Sequence, residues 1–573
     1  MKWEEQAFVA EIASRLEKKL NVSTLIAKLL SSRNISSIDE ADRFLSPKLA
    51  HLQDPFDIPN MEEAVGRIID AIVKNEEILL VGDYDVDGIS SVSIIQKTIT
   101  LFEGKSSYVI PKRKDEGYGL SEKVLTRGLL GKKASLVIAL DCGTNSLEEA
   151  DFLKSKGIDL IIVDHHQAKG EISKIPIILN PHLHHEEGSP WFHLCTAGLA
   201  FKLTHALIKS LRNQGNQTAK NVSMKDYLPL SALGTIADLV PLQKENRIIA
   251  KFGLKHLKHS PSPGIKALLH AGKIDQSRYP GSEDVTFKLA PMINACGRMD
   301  DPTVATSLFL ESEDIKCDKL AHQMDAYNEQ RKVIESQLTE EAKKQATDSF
   351  SDKPAVVVDG DTESWNPGVV GIVAGKLANS LNKPCLVLAK SDNEEYRGSG
   401  RGIKGLDLVK ALAECQNLLT HWGGHPVAVG LSIKEKDLSA FKKKFVDVVS
   451  QLMGNSMAEP SIKIDSFIER QELNDQLLEE LEMLAPYGQG NPEPILGIKN
   501  VRLAGKPRKV GSGDHFQFAI HNGNYPVSGI AWRMADSIPN EEESIDIAFR
   551  LQWNVWNQRK RLQMVMVDWK SHQ

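Results

Sequence analysis

The apolar positions of the chain change their spacing several times. Residues 1–55 are polar with helical spacing at Leu25, Leu29 and Leu30, and they end near a proline-containing stretch at 55–59, which predicts a helical N-terminal appendage. Over 56–303 the pattern becomes short leucine-rich or β-branched runs, at 77–82, 136–140, 159–163 and 175–179, alternating with amphipathic stretches. Such alternation predicts an α/β domain built on a parallel, doubly wound sheet. Between 304 and 348, Leu320, Met324, Tyr327, Ile334 and Leu338 recur at helical steps. They predict a long helix that either connects two domains or packs on the first as an ordinary surface helix. A second α/β unit is expected over 349–455, with runs at 355–358 and 384–389. Over 456–573, short strand-like runs at 461–468, 497–504, 514–520, 526–532, 545–551 and 562–568, spaced by Gly, Asn and Pro, predict a small β-barrel or sandwich.

Length supports this division, because 573 residues exceed what one hydrophobic core serves. No run of 18 apolar residues occurs and the opening MKWEEQ has no charged-then-apolar leader, so a soluble, cytoplasmic protein is expected. The six cysteines include no C-x-x-C pair, which argues against a structural zinc site and a disulfide framework. With 70 basic and 76 acidic residues, any polyanion must be met by a local basic patch.

Candidate chemistry concentrates where strands end. VGDYDVDG (81–88) follows one run, Asp141 a second and Asp164-His165-His166 a third, at the edge of an α/β sheet where ligands bind. Asp238, closing the run LSALGTIADLVPL (230–242), is placed to reach the same edge. A single carboxylate after a strand is usually only a helix cap or turn residue. Asp83, Asp85 and Asp87 within five residues, however, repel one another unless cations offset them. The turn resembles a calcium loop, but its twelfth position is Ile94 where that loop needs a glutamate. Carboxylates mixed with imidazole and without thiolates suit Mn²⁺ or Mg²⁺, and the ligands suffice for two ions.

Residues 81–90 (VGDYDVDGIS), 139–143 (ALDCG), 164–166 (DHH) and 231–241 (SALGTIADLVP) together resemble the motifs of the DHH phosphoesterase superfamily, most closely in its RecJ nuclease form. The resemblance continues through 289–299 (LAPMINACGRM), 364–372 (SWNPGVVGI), 397–402 (RGSGRG) and 423–430 (GGHPVAVG). It implies DHH and DHH-associated α/β domains joined by a long helix, then a C-terminal OB-fold-like barrel. It also implies Asp83, Asp85, Asp87, Asp141, His165, His166 and Asp238 as metal ligands or their immediate neighbours, with Asp141 as the candidate bridge between two ions. Asp164 is expected to orient one of the histidines. The same resemblance makes Arg397, Ser399, Arg401 and His425 candidates to hold a DNA 5′ phosphate, with Asn294 and Arg298 nearby and Trp365 and Asn366 touching the strand, Trp365 being equally suited to a place in the core. In the last domain, Lys506, Arg508, Lys509, Arg559, Lys560 and Arg561 stand among Phe516, Phe518, Trp532 and Trp556, either tracking and stacking on a single strand or merely solvated and filling the barrel. His182, His184 and His185 read as a solvated loop.

The implied activity is metal-dependent 5′→3′ hydrolysis of single-stranded DNA to 5′-mononucleotides, in repair and recombination. Single-stranded-DNA-binding protein and a RecQ-like helicase are the implied partners of a monomer. The competing readings are a phosphodiesterase for short oligoribonucleotides or cyclic dinucleotides, which the appended barrel disfavours, and a non-catalytic DNA-binding scaffold, which the intact acidic and histidine positions disfavour.

Overall fold

Glu77–Val81, Lys105–Val109, Ala134–Leu140, Asp159–Val163 and Ile177–Leu179 pair in parallel throughout. Their spatial order places Lys105–Val109 at one edge, then Glu77–Val81, Ala134–Leu140, Asp159–Val163 and Ile177–Leu179. The computed structural model describes residues 2–113, 116–117, 119–170, 175, 177–183, 187–361, 365–391, 394–454, 461–556 and 559–572. Alternate side chains of each central strand enter different cores: Ile78 and Leu80 face one, Leu79 and Val81 the other. That two-sided burial is why the run reads as continuously apolar. Lys105–Val109 escaped the pattern because it is a half-buried edge strand carrying Ser106 and Ser107. Strand order reverses between Glu77–Val81 and Ala134–Leu140, which opens a crevice beyond their carboxyl ends.

The connecting helix is Asp314–Phe350, 37 residues and about 55 Å long, starting later than the periodicity suggested. Thr303–Leu310 is a separate helix whose Val304, Leu308 and Phe309 belong to the first core. Both expectations for the long helix hold, one per half: Cys317, Ala321 and Met324 pack on the first domain, Leu338, Ala342 and Ala346 on the second. The second domain carries a five-stranded mixed sheet in which Cys385–Ser391 pairs in parallel with Val356–Gly360 and antiparallel with Glu395–Arg401. Ala428–Lys434 and His421–His425 continue it on the other side.

In the C-terminal domain, Leu496–Val501, Ile545–Trp556, Arg559–Ser571, Pro526–Ala531 and His515–His521 are successive neighbours. The sheet closes on itself where Leu503 bridges Ile520 and the Ala504 N–H donates to the Ala519 carbonyl at 2.7 Å. A closed five-stranded barrel is the OB arrangement.

Residues 1–55 are not a separate appendage. Lys2–Glu5 pairs in parallel with Ser461–Ile464, and Leu16, Ile26, Leu29 and Leu30 share one core with Leu478, Phe516, Phe549 and Met564. This combined unit is fastened to the first domain by Arg247. Its buried guanidinium donates to the carbonyls of Phe44, Met483, Leu484 and Ala485 and lies 3.7 Å from the Phe44 ring centroid. No described helix is long and apolar enough to cross a membrane.

Candidate active site

The crevice at the strand-order reversal gathers the acidic residues. Asp85 caps the Val86–Leu101 helix, its Oδ1 accepting from the Asp87 and Gly88 amides at 2.9 and 3.1 Å, which leaves Oδ2 outside the cap. Asp87 spans to the next element, accepting from the Thr196 and Ala197 amides at 2.8 Å each, at the start of the Thr196–Asn213 helix. Asp238 ends the Leu228–Ala237 helix, which approaches Asp87 closely because Gly234 has no Cβ; one there would stand 2.6 Å from Asp87 Oδ1. Asp141 follows its strand in the left-handed region, φ 64°, a conformation aspartate tolerates better than most residues and one that concentrates at functional sites. Its Oδ1 accepts from Thr196 Oγ1 at 2.9 Å.

Three overlapping groups place ligand atoms within 4.8 Å of one another: Asp83, Asp85 and Asp141; Asp141, His165 and His166; Asp87, His165 and Asp238. His165 Nε2 lies 3.4, 3.6 and 3.8 Å from Asp238, Asp141 and Asp87. Burial, followed by the charges of neighbouring aspartates, pushes the Asp83 and Asp141 carboxyls well up and that of Asp238 to about 9; Asp85 and Asp87 are also raised. Burial and the His166 charge lower His165 to about 4. Both Asp83 oxygens are buried without a hydrogen-bond partner. A carboxylate so placed carries a heavy desolvation cost that a divalent cation offsets. The donor set of oxygens and imidazole without sulfur fits Mn²⁺ or Mg²⁺.

Asp164 is different in kind. Its Oδ2 accepts from the Thr144 hydroxyl at 2.6 Å and amide at 3.1 Å, and its Oδ1 lies 2.7 Å from His166 Nδ1. Burial alone would raise its carboxyl, but the His166 contact and Thr144 hold it far below the usual range. Burial opposes protonation of His166 too, and Asp164 outweighs it, bringing the imidazole to about 9.

Two cavities line the cleft between the α/β domains. One, of about 440 Å³, is bounded by Arg113 and Arg298 from the first domain and Lys376, Asn379, Ser399 and Arg401 from the second. Arg298 also donates across the cleft to the Gly368 carbonyl at 2.7 Å, and burial and the Arg113 charge bring its guanidinium down to about 10. The other, of about 300 Å³, joins Thr144, Asp164, His166 and Lys169 to Gly424 and His425.

Several expected positions lie elsewhere. Arg397 is exposed, with Nε 3.6 Å from Glu395, and lines neither cavity. Trp365 is 1% exposed in the second-domain core, with Nε1 donating to Glu341 at 2.7 Å, so it has no face to offer a strand. Asn366 orders its own loop by accepting from the Gly368 amide, and Asn294 accepts from the Val86 amide at 3.1 Å beside the acidic turn. Phe516 and Phe518 fill the barrel, whereas Trp532 is exposed. His182 is half-buried, edge-on to Phe192 at 4.8 Å, and feels the charges of His165, Asp164 and His166, so it flanks the acidic centre rather than lying in a solvated loop. His184 and His185 lie outside the described residues, as does the Trp556 side chain. The sequence reading missed Arg113 and Lys376 because isolated basic residues carry no signal until the fold brings them together.

Comparison with known proteins matches the DHH family N-terminal domain at residues 77–235, the DHHA1 domain at 353–452 and the RecJ OB domain at 464–568. The single-stranded-DNA-specific exonuclease RecJ of Bacillus subtilis is 33% identical over 99% of this chain and 70% of its own length. The chain belongs to the RecJ family. Its Escherichia coli member, of the same description, is 29% identical over 99% of both chains. The crystal structure of RecJ in complex with Mn²⁺ from Thermus thermophilus shares the fold with a TM-score of 0.83 at 24% identity, covering 100% of this chain and 80% of that one. The succession of two α/β domains, long helix and OB barrel is thus the family architecture.

Proposed function

We infer that this RecJ-family chain is a single-stranded-DNA-specific exonuclease that removes 5′-mononucleotides from the 5′ end, in DNA repair and recombination. The observation that carries the reading is the acidic centre with its unpartnered Asp83 oxygens, set beside an interdomain cavity lined by four cations and, among the described residues, no carboxylate. Asp83, Asp85 and Asp141 would hold one divalent ion, and Asp87, His165 and Asp238 a second, with Asp141 and His165 also close to each other; Asp87 in addition fixes the helix that carries Thr196. Two bound Mn²⁺ or Mg²⁺ ions supply an acidified water and neutralise charge on the leaving oxygen. His166, oriented by Asp164, offers its other ring nitrogen to the scissile phosphate, and His425 faces it across the second cavity. Arg298, Ser399 and Arg401 hold the 5′ phosphate with Arg113.

In this reading residues 56–303 are the catalytic unit, 304–348 the connection, and 349–455 the unit that closes over the strand. Residues 456–573, joined by 1–55, engage the strand beyond the cleft. A monomer acting in the cytoplasm on strands opened by a RecQ-like helicase and coated by single-stranded-DNA-binding protein completes the proposal. The test is digestion of 5′- and 3′-labelled single strands and blunt duplex with Mn²⁺, Mg²⁺ or chelator. Metal-dependent release from the 5′ end of the single strand, abolished by Asp141→Ala, is expected; robust digestion of blunt duplex, or unaltered activity in the variant, would refute it.

A further inference from the structure

The strand-end cavity is larger and more cationic than one terminal phosphate requires. Its volume of about 440 Å³ is many times the ~10–15 Å³ that one water needs on the same measure. A phosphoryl group adds only a few atoms of that size. A terminal monophosphate brings roughly two negative charges, and each further phosphoryl adds about one. Against these stand Arg113, Arg298, Lys376 and Arg401. Among the described residues, the carboxylate paired with this set is Glu335, which Lys376 shares with Arg331 from the long helix.

The cavity also has direction. The Val370–Leu381 helix lines it with Gly371, Gly375 and Asn379, one face of the helix at four-residue steps. These positions span about 12 Å at ~1.5 Å per residue. The missing side chains of Gly371 and Gly375 let Ser399 and Arg401 approach that face of the helix: a Cβ at Gly371 would stand 3.3 Å from Ser399 Oγ, and one at Gly375 3.8 Å from Arg401 Cγ. Arg298 and Arg401 are largely withdrawn from solvent, while Lys376 is exposed. The lining thus runs about 12 Å along the helix, longer than a single phosphate, with Arg113, Arg298, Lys376 and Arg401 around it.

We propose that this cavity accepts a 5′-triphosphate end as well as a 5′-monophosphate, so that the enzyme also degrades strands opening with a nucleoside triphosphate. The proposal rests on the reading of the cavity as the 5′-end site. The α-phosphate takes the inner position at Arg298, Ser399 and Arg401, and the β- and γ-phosphates extend along the glycine face toward Asn379 and Lys376. The bond broken stays the same. Water adds to the phosphorus of the second nucleotide, the bond from that phosphorus to the first nucleotide's O3′ breaks, and the O3′ takes up a proton. The first product is a nucleoside 5′-triphosphate with a free 3′-hydroxyl, and the shortened strand carries an ordinary 5′-monophosphate.

The experiment compares three strands of one sequence, bearing 5′-hydroxyl, 5′-monophosphate or 5′-triphosphate and labelled in the first nucleoside, digested by the full chain with Mn²⁺. The first product is resolved by ion-exchange chromatography. Expected are release of intact nucleoside triphosphate, a KM for the triphosphate strand within about threefold of that for the monophosphate strand or lower, and, in Lys376→Ala, a KM rise at least fivefold larger on the triphosphate strand. Resistance of the triphosphate strand while the monophosphate strand is preferred to the hydroxyl would overturn this proposal alone, as would pyrophosphate release before any nucleoside. Equal turnover of the hydroxyl and monophosphate strands would overturn the end-site reading beneath it as well.

Discussion

Asp83→Asn should make the metal-free protein more stable while removing its response to metal. Asp83 is wholly buried and neither of its oxygens has a partner, so wherever no cation is bound the native turn must either hold this carboxyl protonated or bear an uncompensated charge. An unsatisfied buried polar group costs ~1–3 kcal/mol, more when charged. Asparagine keeps the shape and removes the charge, so a gain of about 1–3 kcal/mol is expected in chelator, or ~2–12 °C in the transition of a domain of this size. The sign of the pH dependence follows from the same groups. Asp238 is raised to about 9, and Asp83 and Asp141 well up, so the folded state holds protons that the unfolded chain has released. Each such group destabilises the fold above its folded pKa, and the loss is recovered as pH falls through it. His166, also raised to about 9, acts in the same direction, its contribution being lost as pH rises through that value. His165, lowered to about 4, acts oppositely but only below about 6.5. Between pH 6.5 and 9 the chelated wild type should therefore gain stability on acidification by ~1.4 kcal/mol per pH unit for each proton taken up. Saturating Mn²⁺ at a hundredfold its Kd should add ~2.7 kcal/mol to the wild type and little to Asp83→Asn. Thermal melts in chelator and in Mn²⁺ across that range measure all of these quantities. A variant less stable than wild type in chelator, or a wild type whose metal-free stability rises with pH, would refute the argument.

Three further outcomes follow from the geometry. Arg401→Ala removes a partly buried cation from the strand-end cavity, and losing a charged hydrogen bond worth ~1.5–3 kcal/mol should raise KM about 10- to 100-fold on 5′-phosphorylated strands and hardly at all on 5′-hydroxyl strands, by steady-state kinetics. Trp365→Phe breaks the bond to Glu341 and should cost ~1 kcal/mol in denaturation while leaving KM for a long single strand unchanged; a raised KM would mean that Trp365 meets the substrate after all. Arg247→Met takes a donor from the carbonyls of Phe44, Met483, Leu484 and Ala485, of which Leu484 keeps the Asn491 amide, and should cost ~2–4 kcal/mol and separate the melting of the C-terminal unit from that of the first domain in calorimetry. A single unshifted transition would sink that account.

The local code of the site was legible in the chain because each ligand sits where a strand stops. A run of four or five apolar residues followed by aspartate, as at 77–83, 136–141 and 159–164, places its carboxylate at the carboxyl edge of a buried parallel strand whatever the rest of the fold does. The order of those strands was not legible, and it is the order that makes the crevice: the reversal between Glu77–Val81 and Ala134–Leu140 depends on Lys105–Val109 pairing outward at an edge that polar side chains disguised. The same limit applied to the arginines. Strand alternation puts Arg397, Ser399 and Arg401 on one face, but only the packing of the Val370–Leu381 helix and Arg298 against the far end of that strand selects Ser399 and Arg401 and leaves Arg397 outside.

Sequence by itself determined the chemistry available to this protein, since side-chain identity and period-two or helical spacing are properties of neighbouring residues. Tertiary structure alone decided which groups meet. Arg113 and Arg401, or Leu30 and Phe516, are separated by hundreds of residues, and their sharing of one cavity or one core is set by how whole elements bury their apolar faces. The aromatic at 365 makes the same point from the other side. A tryptophan beside a glycine-rich turn is equally suited to stack on a base or to fill a core, and the long helix, by presenting Glu341 to its indole, settled it as core.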